Sequence, residues 1–339
     1  MAGSLGSGVV MADRETVLPP IPGAIAGESS RADPGAGISP YRASLYTNDE
    51  MMAGYEPGAP ETTLDARIGA ATLQPASPAA VIARGIHDAC IDLALARTLR
   101  EIDRPVVGVM GSHGTPRGAP EYRMVADLGR RLGRAGLLVV TGGGPGLMEA
   151  ANLGAWLADE PDAALPEAID ILERSPRYHD DPATFLERAR EVRARWPDGG
   201  INLGVPTWLY VDEPSNQFVT FSAKYFQNSV RENGLLAIAL AGVIYTTGGS
   251  GTAQEIFTDA AQNEYTMYGV RSPMILLGPD YADDDRLGLV TALRALAKRG
   301  GWEHLVRSVA DPESAVAAIS ELRADPPGAT APPRTLRKR

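Results

Sequence analysis

One stretch of the chain, residues 242–265, contains the residue types best suited to holding an anion and acting on it. A short apolar run at residues 243–245 leads into a glycine-rich turn and then a helical pattern, which predicts a strand, a turn and a helix N-terminus. Glycines let the backbone approach an anion closely, and the first amide groups of the helix point at it. Glu255 lies about one turn into that helix, near enough to act on whatever the turn binds. The predicted binding residues of this turn are Gly248, Gly249, Ser250, Gly251 and Thr252.

Two further glycine turns follow predicted strands, at residues 111–114 and 142–146. The carboxyl ends of parallel strands share one edge of a sheet, and ligands of open α/β sheets bind beyond that edge. Three glycine turns at one edge favour a phosphate-bearing ligand, although turns also need glycine for structural reasons alone. The residues that these two turns add to the predicted binding site are Gly111, Ser112, Gly142, Gly143, Gly144 and Gly146.

Several cofactor classes are disfavoured by the motifs around these turns. No turn has the Gly-x-Gly-x-x-Gly pattern with an acidic residue on the second strand, and the phosphate loop ending in Lys-Ser/Thr is missing from the sequence. The missing motifs therefore argue against a nicotinamide cofactor and against an ATPase. Lys224 and Lys298 are the only lysines before the C-terminal tail, and neither lies in a recognisable pyridoxal phosphate setting. We expect no cofactor and no metal.

The elements that must position these residues alternate along the chain. Apolar runs predict strands at residues 105–110, 137–140, 201–205, 243–245, 273–277 and 304–309. Apolar residues at helical spacing predict helices at residues 80–102, 121–135, from about 147, 222–240, 287–299 and 312–322. The repeated order of strand, glycine turn and helix predicts an α/β fold, a Rossmann-like doubly wound parallel sheet with helices on both faces and one helical insertion.

Composition divides the chain into three parts. Residues 1–75 are rich in Gly, Ala, Pro and Ser and have few periodic apolar positions, so we expect them to be largely disordered, with a short ordered piece near residues 41–55. Residues 76–324 form the predicted single nucleotide-binding domain, with a charged helical insertion at about residues 155–200. Residues 325–339, with two Pro-Pro pairs and a basic end, are a predicted disordered tail.

Charge and cysteine content limit the partners. A formal net charge of -10 and a pI near 5.0 argue against a nucleic-acid surface, which needs clustered Lys and Arg. The single cysteine, Cys90, lies in a helical stretch and suits a reducing compartment. No apolar run approaches the roughly 20 residues needed to span a bilayer, and the N-terminus lacks signal-peptide features. We expect a cytoplasmic protein without nucleic-acid or membrane partners.

Two of the glycine motifs, read together, resemble a known family. Gly-Gly-Gly-x-Gly-Leu-Met-Glu at residues 142–149 and Gly-Gly-x-Gly-Thr-x-x-Glu at residues 248–255 are similar to the motifs of the LONELY GUY family. Those proteins are nucleoside 5′-monophosphate phosphoribohydrolases that activate cytokinins and are often annotated lysine decarboxylase-like; larger bacterial nucleotide nucleosidases share the second motif. The resemblance covers roughly residues 104–322, interrupted by the insertion.

The resemblance implies roles for individual residues. The turn at residues 248–252 corresponds to the family's phosphate-binding turn and Glu255 to its essential carboxylate. Arg231 matches the Arg of an Arg-Lys pair on the preceding helix, and Glu213 matches a substrate-binding Glu that follows a Val-Pro. Three positions depart from the family pattern: Thr247 replaces the usual Pro, Gln254 a frequent Glu, and Glu232 the Lys of the pair.

The implied function is hydrolysis of the N-glycosidic bond of a nucleoside 5′-monophosphate, AMP-like by default, in a homodimer. Such a reaction builds positive charge on the ribose, which a carboxylate such as Glu255 can stabilise while it activates water. The catalytic candidates are therefore Glu255 and Arg231, and His113 is a weaker candidate for the general acid. Because Glu232 removes a positive charge that would face the phosphate, a nucleotide-binding carrier or sensor without turnover remains the alternative.

Overall fold

The computed structural model describes residues 39–210, 213–278 and 288–323 and shows an eight-stranded sheet in the order β1-β5-β4-β3-β2-β6-β7-β8. All neighbouring strands pair in parallel except β1, which runs antiparallel to β5. The strands are β1 (Tyr46–Thr47), β2 (Val106–Met110), β3 (Leu138–Thr141), β4 (Leu203–Gly204), β5 (Phe221–Ser222), β6 (Gly242–Tyr245), β7 (Met274–Leu277) and β8 (Val306–Val309).

Helices connect the strands. They are α1 (Asn48–Met51), α2 (Leu64–Thr72), α3 (Pro78–Ile102), α4 (Pro120–Arg134), α5 (Leu147–Trp156), α6 (Ala164–Leu172), α7 (Pro182–Arg195), α8 (Asn228–Ile238), α9 (Ser250–Tyr265), α10 (Leu289–Gly300) and α11 (Pro312–Leu322), with 3₁₀ turns at Pro60–Thr62 and Glu303–Leu305. No helix among the described residues is both long and apolar enough to cross a membrane.

The predicted α/β class is confirmed, and the core has one layer on each face of the sheet. Because alternate residues of a strand point to opposite faces, Val107 and Val109 of β2 join one buried cluster while Met110 joins the other. The first cluster contains residues of α4, α5, α6, α7 and α11, and the second contains residues of α3, α8, α9 and α10. The strand order reverses at β2, because β3 lies on one side of it and β6 on the other. In open α/β sheets the ligand crevice lies at such a reversal, so we expect it at the carboxyl ends of β3, β2 and β6.

The segment before residue 76 differs from the expectation where the structure describes it. Residues 39–75 contain β1, α1, α2 and a 3₁₀ turn. Tyr46, Met51 and Ile68 are fully buried in the second cluster, so this segment covers one end of the sheet. Their partners, such as Trp208, lie far along the chain, and local composition therefore carried no sign of this packing. The predicted disordered segments at residues 1–38 and 325–339 lie outside the described residues.

Two further differences concern the elements around the site. The helix expected at residues 222–240 begins only at Asn228, because Phe221 and Ser222 form β5 and pair with β4. The expected strand at residues 304–309 begins at Val306, after a 3₁₀ turn. The insertion between β3 and β4 forms α6 and α7, whose apolar faces pack into the first cluster.

Candidate functional site

The three glycine turns meet at the carboxyl edge of β3, β2 and β6, which are neighbours in the sheet. The amide of Ser112 donates to the carbonyl of Thr247 at 2.9 Å, and the amide of Leu147 donates to the carbonyl of Ser112 at 2.9 Å. We call the turns after their strands: the β2 turn (residues 111–114), the β3 turn (residues 142–146) and the β6 turn (residues 248–252). The β2 turn is thereby hydrogen-bonded to the residue before the β6 turn on one side and to the start of α5 on the other. The sequence prediction that these turns share one edge is borne out by the sheet order.

The close approach of neighbouring atoms explains two of the glycines. A Cβ at Gly111 would overlap the Thr246 hydroxyl, which itself donates to the carbonyl of Met110 at 2.8 Å. Gly146 has φ +67°, and a Cβ there would lie 2.5 Å from the carbonyl oxygen of Ser112. Both positions therefore require glycine for the turns to meet, whatever they bind.

The third turn presents the N-terminus of α9. Gly249 is the N-cap and supplies no side-chain cap, so the amide groups of the first turn have no partner within the helix. Residues 248–251 are exposed, whereas Thr252 is buried with its side chain folded against Gly248. An exposed helix N-terminus lined by glycine suits an anion such as a phosphate.

Glu255, on the first turns of α9, is mostly buried, and burial raises the pKa of its carboxyl from 4.5 to about 7. The nearby Arg231 guanidinium lowers this pKa, and the Glu232 carboxylate raises it, but both effects are smaller than that of burial. At neutral pH, Glu255 therefore lies close to half ionised. A carboxyl in that state can both accept and donate a proton, which suits general acid–base catalysis.

Arg231, on the neighbouring helix α8, lies near enough to this carboxyl to lower its pKa. Its side chain is buried, and its Nε and Nη2 atoms donate to the Oδ1 atom of Asn228 at 3.1 and 2.7 Å. Asn228, one turn earlier on α8, therefore fixes the orientation of the guanidinium. The Arg231 Nη1 atom points toward the β3 turn, 3.4 Å from where a Cβ of Gly142 would lie.

Two departures from the family pattern contact each other. The Gln254 side-chain amide donates to the Glu232 Oε2 atom at 2.9 Å, and the Asn228 amide donates to its Oε1 atom at 2.7 Å. Where the family pattern has Lys and Glu, this chain thus has a Glu–Gln hydrogen bond between α8 and α9. The result is two carboxyls, Glu232 and Glu255, around the single guanidinium of Arg231, which lowers the positive potential available to a phosphate.

Glu213 lies at the other end of the β3 turn. Its Oε2 atom is 2.9 Å from the position that a Cβ of Gly144 would take. The β3 turn therefore runs from Arg231, beside Gly142, to Glu213, beside Gly144. The predicted site residues of all three turns and the three predicted acidic and basic side chains lie at one edge of the sheet, and their roles in binding or catalysis stay predictions.

Buried amides that sequence reasoning did not single out hold the β3 turn in place. The Thr141 hydroxyl donates to Asn152 Oδ1 at 2.6 Å and accepts from the amide of Gly143 at 3.0 Å. Asn216 Nδ2 donates to the same Asn152 oxygen at 2.9 Å. Both asparagines are buried, and Asn152 also donates to the Asn202 Oδ1 atom at 2.9 Å. For Asn152, a polar residue within the apolar helix α5, that position was the available sequence signal.

A second missed group supports α8. Asp88 of α3 accepts the amides of Phe226 and Gln227, just before the first residue of α8, at 3.0 and 2.9 Å. His87, which contacts Asp88 at 3.1 Å, is also hydrogen-bonded to the Tyr46 hydroxyl at 2.8 Å. This buried cluster fixes the start of the helix that carries Arg231, and its members lie too far apart in sequence to form a motif.

Asp259 is a further buried carboxyl, one turn beyond Glu255 on α9. Burial raises its pKa from 3.8 to about 7, against the effect of the Tyr245 hydroxyl, which donates to it at 2.8 Å. Its position four residues after Glu255 puts it on the same helix face. The spacing of four residues from Glu255 was the sequence signal that could have identified Asp259.

Glu149, the last residue of the first motif, does not belong to the ligand edge. Its carboxylate is buried in a bidentate ion pair with Arg117, at 2.5 and 2.8 Å, and also accepts from the Tyr122 hydroxyl at 3.0 Å. A fully hydrogen-bonded buried pair of this kind holds α4 and α5 against each other. Within the described residues, no cluster of three or more His, Cys, Asp or Glu side chains could hold a metal ion.

Comparison with known proteins gives a partial match. A family model described as the SLOG cluster4 family matches residues 104–160, the part of the chain with the first two glycine turns but not the third. This supports a place in the wider SLOG group and does not select the LONELY GUY family within it. No curated protein matches the chain.

The solved structures to which the chain is similar include two proteins that bind or carry the molybdenum cofactor. The molybdenum cofactor binding protein from the phototrophic bacterium Rippkaea orientalis is 19% identical, with 65% of this chain and 98% of that chain covered and a TM-score of 0.39. The molybdenum cofactor carrier protein from Chlamydomonas reinhardtii is 20% identical, with 64% of this chain and 97% of that chain covered and a TM-score of 0.38.

Proposed function

We propose that the chain binds a nucleoside 5′-monophosphate at the carboxyl edge of β3, β2 and β6 and hydrolyses its N-glycosidic bond. The observation that carries the proposal is Glu255, a mostly buried carboxyl with a pKa near 7, beside a buried arginine and one turn inside an exposed helix N-terminus. A phosphate-binding helix start and a carboxyl able to exchange a proton at neutral pH are the two parts that this reaction needs.

In the proposed mechanism the 5′-phosphate lies on the glycine turn at residues 248–252, where the amides and the dipole of α9 favour negative charge. The bond between C1′ and the base nitrogen breaks with its electron pair going to the nitrogen, and positive charge develops on the ribose. Ionised Glu255 stabilises this charge and takes a proton from the water whose oxygen bonds to C1′. The leaving base gains a proton, for which exposed His113 is the candidate donor.

In this mechanism Arg231 acts on both the Glu255 carboxyl and the bound ligand. Its guanidinium is oriented by Asn228, lies beside the β3 turn and acts electrostatically on Glu255, so it can keep part of the Glu255 population ionised and donate to a ligand oxygen. Arginine is suited to this because its fork of donors keeps a fixed geometry when one side is already bonded.

The direct test is to incubate the full chain with AMP, GMP, CMP, UMP and IMP and to measure free base and ribose 5-phosphate. The proposal predicts equimolar release of both products from at least one of them, with the Glu255→Gln variant at least about 100-fold slower, as for other general acid–base residues. Glu303→Gln, an exposed change, is the matched control and should not alter the rate.

A second function, binding without turnover, is favoured by the Glu232–Gln254 pair. This pair adds a carboxylate beside Arg231, which opposes a bound phosphate and raises the Glu255 pKa. Saturable binding of a nucleotide, with no base released from any of the five, would select this function. The double variant Glu232→Lys, Gln254→Glu restores the family's charges at both positions. A rate that appears or rises in it would identify the pair as the cause of weak turnover.

The homodimer implied by the family resemblance is part of the proposal. Its test is the molar mass of the full chain by light scattering after size-exclusion chromatography. A mass near twice the 35.8 kDa of the chain supports it, and a mass of one chain at all concentrations contradicts it.

A further inference from the structure

A cavity of about 210 Å³ lies next to the β2 and β3 turns and has walls from separate parts of the chain. The turns contribute one side, and the insertion between β3 and β4 contributes the other through the loop between α6 and α7. The wall residues that matter here are His113, Gly146, Arg177, Tyr178, Phe185 and Glu213. The insertion therefore lines the candidate site and is not confined to the far side of the domain.

The insertion's wall is aromatic and braced by the core. The Tyr178 ring packs edge-on against Phe185, with centroids 5.6 Å apart and planes at 83°. Phe185 is buried, and the Arg117 guanidinium lies 3.2 Å from its ring centroid while bonded to Glu149. A half-exposed ring held against a fixed neighbour offers a stacking surface for a planar group at little entropic cost.

The cavity also has a hydrogen-bond acceptor in its lining. Glu213 lines the cavity, and its Oε2 atom lies beside the β3 turn at Gly144. A carboxylate accepts hydrogen bonds and donates none when ionised, so it favours a ligand edge with N–H groups. Arg177, exposed at the rim, supplies donors for ring nitrogens or carbonyls on the same ligand.

The β3 turn connects this cavity to the proposed reaction centre. Arg231 lies at the Gly142 end of the turn, Glu213 lies at Gly144, and the cavity begins at Pro145. A ligand whose phosphate and ribose occupy the centre near Arg231 and Glu255 would extend along the turn into the cavity. The cavity's size and its aromatic wall fit a nucleobase.

We propose that the insertion's loop at residues 176–179 forms the base-recognition wall of this site, selecting an aromatic base with an amino group directed at Glu213. Tyr178 stacks on the base, and Glu213 accepts from the amino group. The inference rests on the proposed nucleotide site but not on hydrolysis, since a carrier would use the same wall. Its ligand class is the amino-bearing nucleotides, with AMP preferred over IMP, which has a carbonyl in place of the amine.

The experiment is isothermal titration of the full chain, carrying Glu255→Gln to suppress turnover, with AMP, IMP and ribose 5-phosphate. Adding Tyr178→Ala should weaken AMP binding by roughly tenfold to a hundredfold, the range for loss of one base–aromatic stack, and leave ribose 5-phosphate within twofold. Tyr178→Phe keeps the ring and should retain AMP affinity. Tyr41→Ala, at another exposed tyrosine, is the matched control and should change neither affinity.

The preference of the chain for AMP over IMP tests the role of Glu213. The chain with Glu213 should prefer AMP over IMP by roughly tenfold or more, as expected for a hydrogen bond to a charged group, and Glu213→Gln should bring the two affinities close to each other. The inference is overturned if Tyr178→Ala leaves AMP binding unchanged, if it weakens AMP and ribose 5-phosphate equally, or if the chain prefers IMP.

The same titrations separate this inference from the proposed function. AMP binding that Tyr178→Ala does not alter overturns the base wall alone. AMP binding that depends on Tyr178, in a chain without Glu255→Gln that releases no base, overturns hydrolysis and supports the wall. A chain that binds neither AMP nor ribose 5-phosphate refutes both.

Discussion

Replacing Glu255 with glutamine should stabilise the chain at alkaline pH, because the wild-type protein must keep a mostly buried carboxylate ionised there. Burial raises the pKa of Glu255 from 4.5 to about 7, so the folded state binds the proton more tightly than the unfolded state does. The free energy of unfolding must then fall as pH rises between those two values. Glutamine has no charge to bury and lacks this dependence.

The size of the effect follows from the same two values. One pKa unit corresponds to about 1.4 kcal/mol, and between pH 5 and pH 8 a group of this kind costs the wild-type chain at most about 2.5 kcal/mol. We expect the Glu255→Gln variant to gain about 2 kcal/mol on the wild type over that interval. Asp259 is buried in both proteins, and its own pH dependence is common to them.

The assay is urea denaturation of wild type and variant at pH 5 and pH 8, with the exposed Glu303→Gln change as control. The unfolding free energy of Glu255→Gln minus that of the wild type should increase from pH 5 to pH 8. The same difference for Glu303→Gln should not change with pH. A difference that is equal at both pH values would refute the reasoning, because Glu255 would then ionise in the folded chain as easily as in water.

Three further substitutions test the contacts that hold the elements around the site in place. Glu149→Gln leaves the buried Arg117 without its ionic partner and should lower the unfolding free energy by about 3–5 kcal/mol, measured by urea denaturation; a loss below 1 kcal/mol would contradict the buried pair. Asp88→Ala removes the acceptor at the start of α8 and should weaken AMP binding in titrations, although it does not line the site; unchanged affinity would show that α8 is held by other contacts. Gly111→Ala forces a methyl against the Thr246 hydroxyl and should lower the thermal midpoint, whereas Gly251→Ala, with open space around its Cβ position, should not.

Much of the fold was accessible from local patterns. The strands β2, β3, β6 and β7 are short apolar runs, and α11 has the predicted bounds of Pro312–Leu322. The alternation of strand and helix then determined the parallel sheet. Two-residue strands such as β1 and β5 have no periodicity to detect, since only pairing with a neighbour defines them.

The site was predictable where residues lie close in sequence and less so where they meet through the fold. Glu255 follows its glycine turn directly, which made it visible as a candidate. The hydrogen bond between Glu232 and Gln254 joins two helices, so sequence showed two separate departures where the structure shows one contact. Asp88 was invisible for the same reason, because its role depends on amides at residues 226 and 227.

The insertion is the clearest case of information that only the fold supplies. Its charged helical pattern does not show which part of the domain it covers. Tyr178 has no motif around it, and its relevance comes from a cavity that it shares with Glu213 and the β3 turn. Distances between loops depend on how the helices α6 and α7 pack, which local sequence does not encode.

Release of free base from AMP, compared between wild type and Glu255→Gln over pH 5 to 9, tests the central claim most directly. The account predicts equimolar base and ribose 5-phosphate from the wild type, a rate that rises with pH through about 7 as the Glu255 carboxyl ionises, and a loss of at least about 100-fold in the variant at similar AMP affinity. Base release that is equally fast in the variant, or a wild-type chain that binds AMP and never releases base, would contradict it.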